Sequence, residues 1–310
     1  MKKAVLLPIF IISFLFSCTT GIPRQEVAEV YFNLGNAYFE LKHFDKAVNA
    51  YLRALQLDES LARASYNLAR VYIETEKLGE GIKILKQLLE KEPENSILLS
   101  ALAYAYTLQG RTEEALETYG KILSRNSFDQ NALYNTGVLL WRSERREEAK
   151  EYFLKLYSMT PENYKLLYNL GILELELGNN ERGIDFLQEY TEKRPQDLDA
   201  LTALGDAYME EKLYYKALDA YDTVLSIDEK KPKVYFKKSY ILLTVIGDAE
   251  KGMEALEKSI IAGFKDKEQF LNLLSNPDLL DRKTVEMYLL EKGLITPNDL
   301  TEEDVPVEAE

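Results

Sequence analysis

The sequence predicts an all-α fold of stacked helix pairs, and three observations carry that prediction. Small residues recur every 34 positions, at Ala47, Gly81, Ala115, Ala149, Gly183 and Ala217, where two helices must approach closely. Large residues keep the same interval four positions later, at Tyr51, Leu85, Tyr119, Phe153, Leu187 and Tyr221. Pro93, Pro161 and Pro195 share one phase of it, where a ring that cannot continue a helix ends one unit and starts the next.

In chain order, the amino terminus comes first. Met-Lys-Lys followed by the apolar stretch 4–16 has the charge and length of a secretory signal, and it is too short, with Pro8 inside it, for a spanning helix. The single Cys of the chain follows at once, in Leu15-Phe16-Ser17-Cys18. This resembles the lipobox of bacterial lipoproteins, with Phe16 larger than the usual small residue, and implies residues 1–17 as signal peptide and Cys18 as the acylated first residue of the mature chain. Residues 18–24 are then a lipidated tether. Pro23 suits the first turn of a helix, so the tether reaches only about 15–20 Å and holds the first repeat close to the bilayer.

The repeating part resembles the tetratricopeptide repeat family. YFNLGNAYFELKHFDKAVNAYLRALQLDE, residues 31–59, matches nearly every position of that pattern. Leu34, Leu68, Leu102, Leu170 and Leu204 keep the clock too, followed by Gly35, Ala69, Ala103, Gly171 and Gly205. Seven units begin near Ala28, Ala62, Ser96, Gln130, Tyr164, Leu198 and Pro232, giving an array over 25–266. The resemblance implies a right-handed superhelical solenoid. Three departures stand out: Ser65 and Thr136 replace large apolar residues, and Glu174 replaces the aromatic seen at Tyr38, Tyr72, Tyr106 and Tyr208. The seventh unit carries one extra residue around Ile246-Gly247-Asp248, for which a mild kink is the ordinary outcome. Residues 267–293 read as capping helices, with Phe270, Leu273 and Leu274 on one face and Leu279, Leu280, Tyr288 and Leu289 following. Residues 294–310 form an acidic tail expected to be disordered.

In this family the first helix of each unit lines a concave groove, which sets the expectation for a binding site. The sixth position of the units holds Asn33, Asn67, Ala101, Asn135, Asn169, Ala203 and Lys237, and the resemblance implies that the four Asn form a ladder able to hold a peptide backbone through both donor and acceptor. Fifth positions add Phe32, Tyr66, Tyr134, Tyr168 and Phe236; ninth positions add Asn36, Arg70, Tyr104, Asp206 and Tyr240; Trp141 joins them in the fourth unit. Aromatic anchors with few charges suit a protein-binding surface. Tyr38, Tyr51, Tyr72, Tyr106, Tyr119, Tyr208 and Tyr221 fall on core phases and are read as packing.

Composition narrows the function classes. Apolar residues are 46% and charged residues 29%, with 9 Pro and 15 Gly, which excludes a mainly disordered or multi-span membrane chain. Fifty-two acids against 38 bases, a net charge of −14, argue against nucleic acid as a partner. With one Cys and one His, no Cys/His metal site or intramolecular disulfide can form. His43 falls in a predicted turn, and no nucleophile elbow, zinc-protease motif, phosphate loop or dinucleotide fingerprint is present, so no catalytic residues and no cofactor are expected. The expected protein is a non-enzymatic scaffold lipoprotein of the bacterial envelope, in the outer membrane facing the periplasm, binding peptide or helical segments of other envelope proteins. A self-associating structural protein or a surface-displayed adhesin are the alternatives, and the oligomeric state is left open.

Overall fold

The computed structural model describes residues 23–300; the expected signal segment, Cys18 and the last ten residues lie outside that range. Among the described residues there are sixteen α-helices and no strand. They form two compact units that meet in sequence between Glu144 and Arg145. The first holds α1 (Arg24–Glu40), α2 (Phe44–Leu57), α3 (Ala62–Glu74), α4 (Leu78–Lys91), α5 (Ser96–Leu108), α6 (Thr112–Arg125) and α7 (Gln130–Arg142). The second holds α8 (Arg146–Tyr157), α9 (Tyr164–Glu176), α10 (Asn180–Lys193), α11 (Leu198–Glu210), α12 (Tyr214–Ile227), α13 (Pro232–Ile241), α14 (Ala249–Ile261), α15 (Lys267–Leu274) and α16 (Arg282–Glu291).

The 34-residue clock is visible in the backbone as well as in the side chains. Within each hairpin the chain turns through one residue of positive φ, at Lys42, Glu76, Gly110, Glu144, Gly178 and Lys212, and glycine occupies only two of the six. The N–H two residues beyond the C-cap then reaches back to the last turn, as from His43 to Tyr38 O at 2.8 Å and from Arg111 to Tyr106 O at 2.9 Å, closing orphan carbonyls in a Schellman arrangement. His43 sits in this turn, exposed. Between hairpins, Asn95, Asp129 and Asp197 cap α5, α7 and α11 through side-chain oxygens.

The small residues bring helices together as their phase requires. A Cβ at Gly35 or Gly205 would lie 2.5 Å from the ring of Tyr51 or Tyr221, and one at Gly171 2.7 Å from Leu187. Tyr51, Tyr119, Tyr221, Phe153, Leu85 and Leu187 are accordingly among the most deeply buried side chains. Leu34 departs from its phase: it is 39% exposed, because the first helix has no preceding repeat to cover that side.

The irregular residues each find a structural answer. Glu174 is fully buried, with Oε2 accepting from Lys150 Nζ at 2.7 Å and Asn179 Nδ2 at 2.8 Å, and Arg182 lies 3.2 Å from Oε1. Thr136 is buried with its hydroxyl unpaired among the described residues. The extra residue of the seventh unit is absorbed as a π-helical turn, Leu242–Ile246, ended by Gly247 at φ 81°. That turn frees the Leu243 carbonyl, which accepts the Leu280 N–H at 3.0 Å and so ties the terminal segment to the last repeat. Phe270, Leu273, Leu274, Leu279, Val285 and Leu289 complete that core.

Candidate functional site

In the first unit the first helices of successive hairpins, α3, α5 and α7, enclose a cleft of about 480 Å³. From α3 come Tyr66, Arg70, Ile73 and Glu74, one helical face at i, i+4, i+7 and i+8. From α5 come Ser96, Ile97, Ser100, Ala101 and Tyr104, and from α7 Asn131 and Asn135, with Asp129 capping that helix. A cavity of about 500 Å³ shares Ile73, Glu74 and Tyr104 and continues the cleft towards Leu78 and Leu108. Tyr104 and Ile97 are 48% and 61% exposed, large for apolar or aromatic side chains beside a concave surface.

The cleft is polar at its base and aromatic at its walls. Tyr119, on α6, is 2% exposed and lines the cavity from beneath. Burial, then the neighbouring Tyr104, push its phenol up to about 12, so it remains an O–H donor at neutral pH. Neither Tyr119 Oη nor the Asn135 amide has a hydrogen-bond partner among the described residues. Arg70 lays its guanidinium 4.9 Å from the Phe39 ring and 5.9 Å from that of Tyr66, which stiffens this wall by cation–π contact.

Four of the groove residues expected from sequence therefore meet in this cleft: Tyr66, Arg70, Tyr104 and Asn135. Others are committed elsewhere. Asn36 Oδ1 accepts from Tyr51 Oη at 2.8 Å and from Asn67 Nδ2 at 2.7 Å, so two members of the expected amide set bond to each other. Asn33 is exposed on α1. Phe32 and Phe236 require correction: they are 8% and 4% exposed, core residues and not groove residues. Phe32 packs on Tyr51 of the partner helix α2 at 6.1 Å, and Phe236 stacks at 4.5 Å on Phe264, between α14 and α15, and lies 5.6 Å from Phe270 of α15, within the core of the terminal segment. In the second unit, Tyr168 packs on Tyr190 at 5.2 Å, and Tyr240 Oη accepts from Asn276 Nδ2 at 2.8 Å in the terminal segment. Tyr134, Trp141 and Asn169 are half-buried and engaged within the chain.

Sequence reasoning missed Tyr119 as a site residue, since its phase marks it as core, and missed Ser96, Ser100 and Asn131. The signal for Tyr119 lies beside it in the repeat. Tyr51 and Tyr221 face Gly35-Asn36 and Gly205-Asp206, whereas Tyr119 faces Ala103-Tyr104 at the same phase. Among the described residues no cluster of three His, Cys, Asp or Glu could hold a metal, and no helix is long and apolar enough to cross a membrane.

Tandem helix hairpins on a 34-residue period, with a cleft between their first helices, define a helical-repeat protein. Models of the tetratricopeptide repeat match residues 28–61, 76–135, 134–197 and 168–232, together more than half of the chain, and the chain belongs to that family. Its fold is similar to that of YrrB, described as a TPR protein with an unusual peptide-binding site, at 24% identity and TM-score 0.55, over 61% of this chain and 96% of that one. It is similar also to a tetratricopeptide repeat protein from Parabacteroides merdae, at 19% identity and TM-score 0.56, over 80% and 97% of the two chains. MamA from Desulfovibrio magneticus aligns at 20% identity and TM-score 0.50, over 54% and 94%. No curated protein matches the chain.

Proposed function

We propose that this protein is a non-enzymatic adaptor, anchored by a lipid on Cys18 in the bacterial envelope, that holds a peptide segment of a partner protein in the α3–α5–α7 cleft. The observation that carries this reading is the cleft itself: aromatic walls from Tyr66 and Tyr104 over a base where the Tyr119 hydroxyl and the Asn135 amide have no hydrogen-bond partner among the described residues. Asn135 is half-buried, and both groups keep their polar atoms open to the cavity, where two adjacent donors unused by the fold favour a ligand that accepts from them. The peptide-binding site named for YrrB, a protein of the same fold, supports a peptide as that ligand. The anchor rests on Lys2, Lys3, the apolar run 4–16 and the position of Cys18, and an outer-membrane, periplasm-facing location is part of the same reading.

The test is site-specific photocrosslinking in intact cells, with a benzophenone side chain at Ser100 in the cleft or at Tyr215, which is 72% exposed on α12. A discrete adduct is expected from Ser100 alone, and it should disappear when Tyr66→Ala and Asn135→Ala are combined in a protein of unchanged helical circular dichroism. Identical adducts from both positions, or adducts indifferent to the substitutions, would overturn the adaptor reading.

A further inference from the structure

The chain contains two filled versions of the cleft base. In one, Tyr51 Oη donates to Asn36 Oδ1 at 2.8 Å and Asn67 Nδ2 donates to the same oxygen at 2.7 Å. In the other, Tyr221 Oη donates to Asp206 Oδ1 at 2.6 Å, and Lys237 Nζ lies 2.6 and 2.5 Å from the two Asp206 oxygens. Each layer is the same design: a buried tyrosine hydroxyl and a nitrogen donor from the next repeat converge on one carbonyl or carboxylate oxygen. Tyr119 and Asn135 stand at the same repeat positions as these two donors, and the position of the acceptor is taken by Tyr104, which turns outward at 48% exposure. Ala103 contributes to the difference. A Cβ at Gly35 would lie 2.5 Å from the Tyr51 ring, so Tyr119, which faces an alanine, cannot settle into the placement that Tyr51 adopts.

We infer that this open layer is a seat for a carboxamide of the bound partner, an Asn or Gln side chain whose oxygen accepts from Tyr119 Oη and Asn135 Nδ2. This rests on the adaptor reading and adds its chemical specificity. The choice of amide over carboxylate comes from the two filled layers: where the acceptor is a carboxylate the nitrogen donor is the cation Lys237, and where it is an amide the donor is the neutral Asn67. Asn135 is of the second kind. Arg70 lines the cavity together with Glu74 and Asp129; its guanidinium lies against the Phe39 and Tyr66 rings, and the two carboxylates outnumber it, disfavour a ligand carboxylate and offer acceptors to the NH2 of an amide. The methylene stem of the ligand has Tyr66 and Ile97 to lie against, and 480 Å³ accommodates a glutamine side chain with its flanking backbone.

The test uses the intact chain with 13C-labelled isoleucine methyl groups, titrated with N-acetylglutamine methylamide or with its glutamate counterpart. The Ile73 and Ile97 signals are expected to shift saturably with the glutamine probe, and about ten-fold more weakly with the glutamate probe. Tyr119→Phe should weaken the glutamine probe about ten-fold, the loss of one hydrogen bond; phenylalanine is tolerated at this phase, as Phe153 shows. Combining Ala103→Gly with Tyr104→Asn supplies an internal acceptor as in the Tyr51 layer, and should abolish binding while the fold is kept. Glutamate binding as tight as glutamine, binding indifferent to Tyr119→Phe, or unmoved methyl signals would overturn the carboxamide seat. Should any of these occur while the Ser100 adduct persists, the seat alone falls and the adaptor stands; without the adduct both fall.

Discussion

Glu174 offers a sharp test of the energetics, because a carboxylate with no exposed surface stands where four other repeats place tyrosine. The perturbation is Lys150→Met, which removes the ammonium 2.7 Å from Glu174 Oε2 and keeps the aliphatic length of the side chain. Breaking a buried pair by deleting one partner costs roughly 3–5 kcal/mol. The low end, about 3 kcal/mol, applies here, since Asn179 still donates to Oε2, Arg182 remains 3.2 Å from Oε1 and the Lys150 side chain is 21% exposed. The assay is hydrogen exchange of amides in α9 and α10, read locally because repeat arrays need not unfold as one two-state body. A loss of about 3 kcal/mol is about a hundred-fold faster exchange. Replacing the pair together, Lys150→Met with Glu174→Tyr, restores the aromatic of the other repeats, and should recover protection to the original level or above it. If Lys150→Met exchanges as the parent does, or the double replacement is no better than the single one, the pair is not the element that holds α8 to α9 and α10.

The remaining expectations are more local. Gly205→Ala forces a Cβ to 2.5 Å from the Tyr221 ring and should cost about 1–3 kcal/mol, whereas Gly120→Ala on α6 meets nothing within 4 Å and should gain about 0.5–1 kcal/mol, each read from hydrogen exchange of the amides in its own hairpin. The Asp299 carboxyl is held down to about 2 by Lys267, then by Thr296. A depressed carboxyl gives stability that is present above its unfolded value near 3.8 and lost as pH falls through its folded value, so amide exchange around residues 294–300 should accelerate between about pH 4 and 2, and Asp299→Asn should abolish that dependence. Cys18→Ser should move the protein from the membrane fraction to the soluble one and end its labelling by a clickable palmitate; unchanged fractionation would refute the anchor.

The helical array was legible because one interval governs many positions at once. Ala47, Tyr51 and Gly35 reflect three demands of the same helix crossing, and a sequence repeating those demands six times leaves few alternative folds. The residues that break the pattern were visible as departures, but not their resolution. Glu174 is read from sequence as a packing irregularity; its main partner Lys150 lies 24 positions earlier, in another repeat, where nothing local marks it. The extra residue of the seventh unit could be counted, but not its conversion to a π turn that exposes the Leu243 carbonyl to Leu280, because that pairing joins segments far apart in the chain.

The site was half legible for a related reason. A repeat position states which direction a side chain leaves its helix, and the resemblance to the repeat family states which direction faces the groove, so Tyr66, Arg70, Tyr104 and Asn135 could be placed on one surface. Position does not state whether the fold itself uses the polar atoms. Asn67 and Asn135 have the same phase, but the first is spent on Asn36 and the second faces a cavity. The difference is set by the residue at the ninth position of the preceding repeat, together with the small residue before it: Gly-Asn and Gly-Asp close the layer, and Ala-Tyr opens it. If the carboxamide seat is confirmed, a repeat array builds a binding site by omission as much as by addition. One framework of tyrosine and nitrogen donor is stabilised internally in two layers, and in the third the chain withholds the oxygen that would satisfy it, which is the place proposed for a partner.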